Sequence, residues 1–364
     1  MTRLPAFLLL GVLALFSSVA AARSLEAIQQ SGELKVAIRD NLPPMEFMEH
    51  GKLVGIDPEL AELLAQSLGV KLQRIGFKEV KERETLLIQQ TVDAVISVYS
   101  VTEKRMELVN FSEPYFDSGS VILIRRSDKN NIKSYKDLAG KTVATTRGSV
   151  SAETLEAVMP AAIPTLLPNG IHQGYELLKA GKIDAVLYDK PMLDYVASKD
   201  KSIYVVKEDP LDPNQYAIGL NLQDQELLNH VNQFLQTLKS NGKLKALLNK
   251  YSTGSVELAP IDPSLNTRNY QVKEGDTLSK IALHEYADAS LWTRIYEHNR
   301  DQVAYANVIR LGQTLKLPDL PLKPPTTNQG TCRNQLEELK KLEPVLSQAS
   351  YQDEEKRILA QCKK

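Results

Sequence analysis

Leu34-Lys35-Val36-Ala37-Ile38, then Asp57 to Gly69, then Val70-Lys71-Leu72-Gln73-Arg74-Ile75 decide the fold of this chain. The first stretch is an apolar run of strand length. The second places Leu60, Leu63, Leu64 and Leu68 on one helical face and stops at Gly69. The third alternates apolar and polar residues, as a strand with one buried face does. Strand, helix, strand in that order predicts an α/β sheet covered by helices.

The same signals recur along the chain. Asp93-Ala94-Val95-Ile96-Ser97 and Val121-Ile122-Leu123-Ile124 read as short buried strands. After Ile124 the pattern restarts, with Thr142 to Thr145 as strand, Ser151 to Val158 and Gly174 to Ala180 as helices, and Ala185 to Leu187 as strand. A restart predicts two similar lobes rather than one sheet. Leu227 to Tyr251 reads as a helix with Leu228, Val231, Phe234, Leu235 and Leu238 on one side.

Two stretches rich in Pro and small polar residues, Gly254 to Asn266 and Pro318 to Gly330, read as linkers. With 364 residues, the chain is long enough for two or three folded units. Its 44 basic and 45 acidic side chains argue against a dedicated nucleic-acid binder. Arg3, the apolar run from Leu4 to Val19 and the small residues Ala20-Ala21-Ala22 predict a cleaved signal peptide over 1–22. No Cys follows that run, so a lipoprotein anchor is not expected, and the mature protein is expected to be soluble in the periplasm. Cys332 and Cys362 are expected to form a disulfide in an exported chain. It would close a loop of about thirty residues, worth about 3 kcal/mol. Leu336, Leu339 and Leu342, the break at Pro344, and Ile358 and Leu359 read as a helical hairpin stapled by that bond.

Short motifs then appear in a telling order. They are Pro43-Pro44-Met45-Glu46-Phe47, Gly51 to Asp57, Val101-Thr102-Glu103-Lys104-Arg105, Asn110-Phe111-Ser112-Glu113-Pro114-Tyr115, Asp137 to Val143, and Gly181 to Val186. Through them, residues from about Leu25 to Ser252 resemble the family-3 periplasmic amino-acid-binding proteins. The resemblance implies a two-lobed periplasmic-binding-protein fold of type II, with a two-strand hinge and a ligand clamped in the cleft. Arg105 matches the family's carboxylate-binding arginine, Ser100 the hydroxyl beside it, and Asp189 the acid that receives the ammonium. The chemistry agrees: a guanidinium pairs a carboxylate bidentately, which an ammonium does not. Gly148 and Ser149, just before a predicted helix, are placed to add N–H groups and a hydroxyl. Read alone, Arg105 also fits a surface ion pair, and Asp189 a helix cap.

The pocket for the ligand's side chain departs from the family pattern. Arg39 and Leu42 stand where the family has an acid and an aromatic ring, and Met45 replaces a common aromatic. Arg39 points either to an extra acidic group on the ligand or to a surface position. Tyr99 and Tyr188 are candidates for the missing ring surface. The expected ligand is an amino-acid-like solute, with a muropeptide fragment or D-amino acid as the alternative.

Tyr270 to Ala282, Leu291 to Asn299 and Gly312 to Pro318 resemble a LysM domain, a strand–helix–helix–strand module whose usual ligand is the N-acetylglucosamine backbone of peptidoglycan. The resemblance places a glycan groove at Gly275, Asp276, Thr277 and Leu278, and opposite at Asn307, Val308, Ile309 and Arg310. Asp276 is expected to N-cap the first helix. Trp292 fits the core of so small a module better than a sugar-stacking face. The expected division is a receptor over 25–252, with lobe 1 at about 25–120 and 215–252 and lobe 2 at about 121–214. A linker (253–268), the LysM module (269–318), a Pro-rich linker (319–330) and the hairpin (331–364) complete the chain.

The resulting expectation is a non-catalytic, exported receptor held near the wall, with no metal and no cofactor. Uptake through an ABC permease and wall-linked sensing both remain open, although tethering would hinder diffusion to a permease. The rival readings are an enzyme, acting on the wall or as a cleft dehydratase with Glu46 or Glu113 as acid, and a structural tether without ligand.

Overall fold

The structure, a computed structural model, describes residues 23–251 and 265–320 apart from 169, 208 and 307, together with residue 352. The expected signal peptide, most of the first linker, the Pro-rich linker from 321 on, the hairpin with Cys332 and Cys362, and Asn307 lie outside the described residues. Among the described residues no helix is long and apolar enough to cross a membrane.

Two five-stranded sheets form the large unit. In the first, the strands run in the order Lys71–Ile75, Glu33–Ala37, Ala94–Val95, Gly219–Leu220, Asn110–Phe111. The first three are parallel, while Gly219–Leu220 is antiparallel to both its neighbours. Helix Ile56–Leu68 makes the crossover that parallel pairing requires. Its Leu60, Leu64 and Leu68 are buried in the sheet's core, and Gly69 ends it in the left-handed region at φ 72. The second sheet has the order Ile163–Leu167, Thr142–Thr146, Ala185–Asp189, Ser120–Arg125, Ile203–Val205.

The chain crosses between the sheets twice, and the two crossings pair with each other. Strand Phe116–Ser118 lies antiparallel to Asn214–Tyr216, and Ser100 bridges to Tyr216 beside them. This is the hinge. At Gly119 the backbone passes so close to the second crossing that a Cβ would lie 2.4 Å from the Asp212 carbonyl oxygen. A glycine is required there by proximity alone.

Several elements depart from the sequence reading. The expected helix over Leu227 to Tyr251 is two helices, Gln225–Ser240 and Lys243–Lys250, because Gly242 adopts φ 75 and turns the chain between them. Helices Glu82–Ile88 and Lys190–Lys199 and strands Ile163–Leu167 and Ile203–Val205 carry weak periodicity and were not expected.

The small module pairs Thr267–Gln271 antiparallel with Thr314–Pro318 and packs helices Leu278–Tyr286 and Trp292–Glu297 against them. Thr277, not Asp276, caps the first helix: its side chain accepts the Lys280 N–H. Asp276 instead accepts the Tyr270 hydroxyl at 2.9 Å and the Lys273 N–H at 2.8 Å, fixing the turn before the helix. Trp292 is buried in the module's core.

The module docks on the large unit at three places. On the second lobe, Ala289 is fully buried in the lobe's apolar cluster, and Lys136 Nζ donates to the Ala287 carbonyl at 2.8 Å. Trp292 Nε1 donates to the Pro210 carbonyl at 2.9 Å. At the hinge, Gln215 Oε1 accepts the Ala306 N–H at 2.9 Å while its Nε2 donates to Asp117 on the paired strand at 2.7 Å. On the first lobe, the Tyr305 hydroxyl donates to the Ser112 carbonyl at 3.1 Å, and Tyr305 and Val308 pack on the cluster holding Leu87 and Phe111.

Candidate functional site

The site is built on a strained turn that follows strand Ala94–Val95. Val98 has φ 47, a left-handed conformation that costs a residue with a Cβ about 1–2 kcal/mol. Two buried ionisable side chains hold it from both sides. Asp57, at the start of the crossover helix, accepts the Val98 N–H at 2.8 Å and the Tyr115 hydroxyl at 2.7 Å. Arg83 donates to the carbonyls of Ser97 at 3.1 Å and Val98 at 2.8 Å. Burial, then the neighbouring Glu46 charge, raises the Asp57 carboxyl well above its ordinary range. Burial, then Arg105 and Arg39, lowers Arg83 to about 10, so it remains charged at neutral pH.

Tyr99 continues the turn into the core. Its ring lies 4.5 Å from the Arg83 guanidinium carbon and 5.4 Å from that of Arg105, and its hydroxyl donates to Glu84 at 2.9 Å. The ring is fully buried, so it supports the two arginines and offers no face to a ligand. Gly219 on the next strand makes room for it: a Cβ there would lie 2.5 Å from the ring.

Arg105 stands on the short helix Glu103–Met106, capped by Thr102. Its Nη1 donates to the Ser100 carbonyl at 2.7 Å, its Nε lies 3.5 Å from Glu84, and its Nη2 donates across the cleft to the Gly148 carbonyl at 3.3 Å. It is not a surface ion pair; the guanidinium bridges the two lobes. Ser149, beside Gly148, spends its side chain capping helix Val150–Val158, accepting the Ala152 N–H at 3.2 Å.

Asp189 ends strand Ala185–Asp189 and occupies the N-cap position of helix Lys190–Lys199, yet its side chain makes no capping bond. It turns inward instead, accepting the Ser151 hydroxyl at 3.2 Å and the Tyr216 hydroxyl from the hinge. Burial raises its pKa, while donors from Tyr216, Asn214 and Ser151 and the charge of Arg105 pull the other way. A cation placed beside it would stabilise the ionised form further.

These side chains line one small cavity between the lobes. Ser100, Arg105, Arg39 and Arg83 come from the first lobe, Ser149, Tyr188 and Asp189 from the second, and Asn214 from the hinge. The cavity measures about 10 Å³, room for about one water. The lobes are also joined by Phe47 and Tyr195, whose ring centres lie 5.9 Å apart. Admitting anything larger than a water therefore requires the lobes to part.

Leu42 and Met45 are not on the cavity wall; both are buried in the first lobe's apolar core. Arg39 is not a surface residue either. It is buried against Glu46, with Nε to Oε1 at 3.2 Å and its own backbone N–H to Oε2 at 3.0 Å. Glu46 also accepts the Ser97 hydroxyl at 2.6 Å, so it is fully committed to structure. Glu113 lies on the far surface, held by Gln236 and Lys239. Arg83, Asn214 and Asp57 were missed in the sequence. Arg83 sits in Lys81-Glu82-Arg83-Glu84, a charged run that reads as a solvated helix face.

Residues 34–254, more than half of the chain, match the model of the bacterial extracellular solute-binding proteins, family 3. The chain belongs to that family. Residues 270–318 match the LysM domain. Among relatives of this solute-binding protein is the glutamine-binding protein of Geobacillus stearothermophilus, 34% identical over 205 residues, covering 55% of this chain and 77% of that protein. The amino acid ABC transporter substrate-binding protein AbpA from Streptococcus pneumoniae, solved bound to L-arginine, superposes with a TM-score of 0.58 at 27% identity, covering 62% of this chain and 97% of that one. An ancestral amino acid-binding protein described as a precursor of cyclohexadienyl dehydratase superposes with a TM-score of 0.57 at 29% identity, covering 62% and 98%. The relatives are thus two-lobed amino-acid-binding proteins of ABC transporters.

Within the LysM domain, Gly275 and Thr277 are exposed, whereas Leu278 and Ile309 are buried in its core. The candidate groove is therefore a rim of backbone and hydroxyl groups over an apolar floor.

Proposed function

We propose that this protein is an exported receptor that clamps a free α-amino acid between its lobes and associates with peptidoglycan through its LysM domain. The observation that carries the first half is that Arg105 and Asp189, from opposite lobes, line the same buried cavity. A guanidinium for the carboxylate and a carboxylate for the ammonium are the pair that a desolvated amino-acid head group needs. Ser100 is placed to complete the carboxylate's hydrogen bonds, whereas the Ser149 hydroxyl is committed to Thr146 and Ala152, and Tyr188 supplies the cavity's one aromatic surface among the described residues. Glutamine, named in one relative, and arginine, bound in another, are the first candidates to test. The tightness of the cleft favours a compact solute over a muropeptide.

The enzyme reading is weaker. Glu46 is locked to Arg39 and Ser97, and Glu113 is remote from the cavity, so neither is placed to move a proton in the cleft. The docking of the LysM domain across the hinge favours wall-linked sensing over diffusion to a permease, although uptake uses the same clamp.

Native mass spectrometry of the protein purified without refolding is the direct test. The expected result is an added mass equal to one free amino acid, lost in Arg105→Ala. A bound species of glycopeptide mass, or identical loading of parent and variant, overturns the clamp.

A further inference from the structure

The LysM domain and both lobes together line an open groove of about 610 Å³, within the size range of small-molecule sites. It lies outside the amino-acid cleft. Its walls bring Thr277 and Lys280 from the LysM domain against Lys104 from the first lobe and Glu153 and Glu156 from the second. Gly275, Asp276 and Thr277 thus share this groove with residues of both lobes while Gly275 and Thr277 stay open to solvent. Lys104 and Glu153 reach toward each other across the lobe boundary, at 3.7 Å.

The chemistry of the walls selects a ligand class. Glu103, Glu153, Glu156 and Asp276 outnumber Lys104 and Lys280, which disfavours an anionic polymer. Carboxylates and threonine hydroxyls beside the apolar Ile309 and Ala157 suit hydroxyl and amide donors carried on a ring with apolar faces. That is a neutral oligosaccharide.

The geometry also ties the groove to lobe closure. The LysM domain touches the second lobe through Trp292 and Ala289, the hinge through Ala306 and the first lobe through Tyr305. Parting Arg105 from Gly148, as opening the cleft requires, also parts the neighbouring Lys104 and Glu153. The walls at Lys104 and at Glu156 separate in the same motion.

We propose that this groove is a second ligand site, taking a short neutral oligosaccharide and complete only when the lobes are closed, so that sugar and amino acid strengthen each other's binding. The proposal deepens the reading of the LysM domain as a wall-glycan binder and rests on it. Because coupling is reciprocal, each ligand must raise the other's affinity by the same factor.

The test is titration calorimetry of the full chain with tetra-N-acetylchitotetraose, with and without saturating L-glutamine or L-arginine. The variants are Glu156→Ala and Lys104→Ala, both exposed and on different lobes. The expected result is a tetramer affinity roughly threefold or more weaker in each variant, as for loss of one ordinary, solvent-exposed hydrogen bond. It should also rise with whichever amino acid binds, and this rise should vanish in Arg105→Ala. If the tetramer binds with an affinity indifferent to both lobe variants and to amino acid, the composite site is refuted while the LysM reading stands. If no form binds the tetramer, the LysM reading fails and the proposal falls with it.

Discussion

Replacing Arg105 tests the clamp most directly. The guanidinium donates to the Ser100 carbonyl and, across the cleft, to Gly148, with Glu84 and the Tyr99 ring behind it. Only about a tenth of the side chain is exposed (11%), so a ligand carboxylate here is largely desolvated. Removing one partner of a buried charge pair costs about 3–5 kcal/mol. Arg39 and Arg83 remain nearby, but Arg39 is committed to Glu46 and Arg83 to the Ser97 and Val98 carbonyls. They therefore recover little, and the lower end applies: about 3 kcal/mol, or more than a hundredfold in amino-acid affinity. Arg105→Lys keeps the charge but loses the fork, at a cost of about 1.5 kcal/mol or roughly tenfold. Calorimetric titration with L-glutamine and L-arginine reads both variants, and urea unfolding separates affinity from folding. Affinity within about twofold of the parent in a folded Arg105→Ala protein would remove Arg105 from the site.

Three other substitutions probe the surrounding geometry. Asp189→Asn keeps a partner for Tyr216 and Ser151 but loses the charge facing an ammonium, so the fold should survive while amino-acid affinity drops at least tenfold, as for a charged hydrogen bond; unchanged binding would reassign the ammonium site. Gly219→Ala drives a methyl to 2.5 Å from the Tyr99 ring, and should lower stability by about 1–3 kcal/mol in urea and weaken ligand binding through Arg105; an unchanged midpoint would show that the ring moves freely. Asp212, buried beside the hinge, is raised by burial from 3.8 to about 6, against donors from Thr154 and Ser120. Between about pH 4 and pH 6 the folded chain therefore holds a proton that the unfolded chain has released. This group's contribution is largest below pH 4 and is lost as pH rises through 6, by about 3 kcal/mol. Asp212→Asn should flatten that slope in denaturation curves measured across the window, and an unaltered slope would place the titration elsewhere.

The fold was legible where burial imposes a period. Helix Ile56–Leu68 and the strands at Glu33–Ala37 and Lys71–Ile75 follow directly from their apolar spacing. The edge strand Ile163–Leu167 did not show itself, because much of it is exposed and it carries no alternation. Arg105 and Asp189, which line the cavity between the lobes, were singled out through motif order. Whether Asp189 caps a helix or faces the cavity is settled by side-chain direction, which spacing does not encode. Arg83 and Asp57 were missed for a related reason. Arg83, inside a charged run, looks solvated, Asp57 looks like an ordinary acid at a helix start, and only the positive φ of Val98 reveals why both are buried.

The placement of the LysM domain was illegible for a different reason. Trp292 reads correctly as a residue of a small core, and its indole N–H also donates to Pro210 on the second lobe. Linker composition sets reach, not docking. Gln215 couples that docking to the hinge. One end of its amide ties the two hinge strands together through Asp117, and the other holds the LysM domain at Ala306. The LysM domain thus contacts the hinge and both lobes in this closed form, and its contacts add to the free energy of that form. In the proposed coupling, two ligands that both favour this form raise each other's affinity by the same factor.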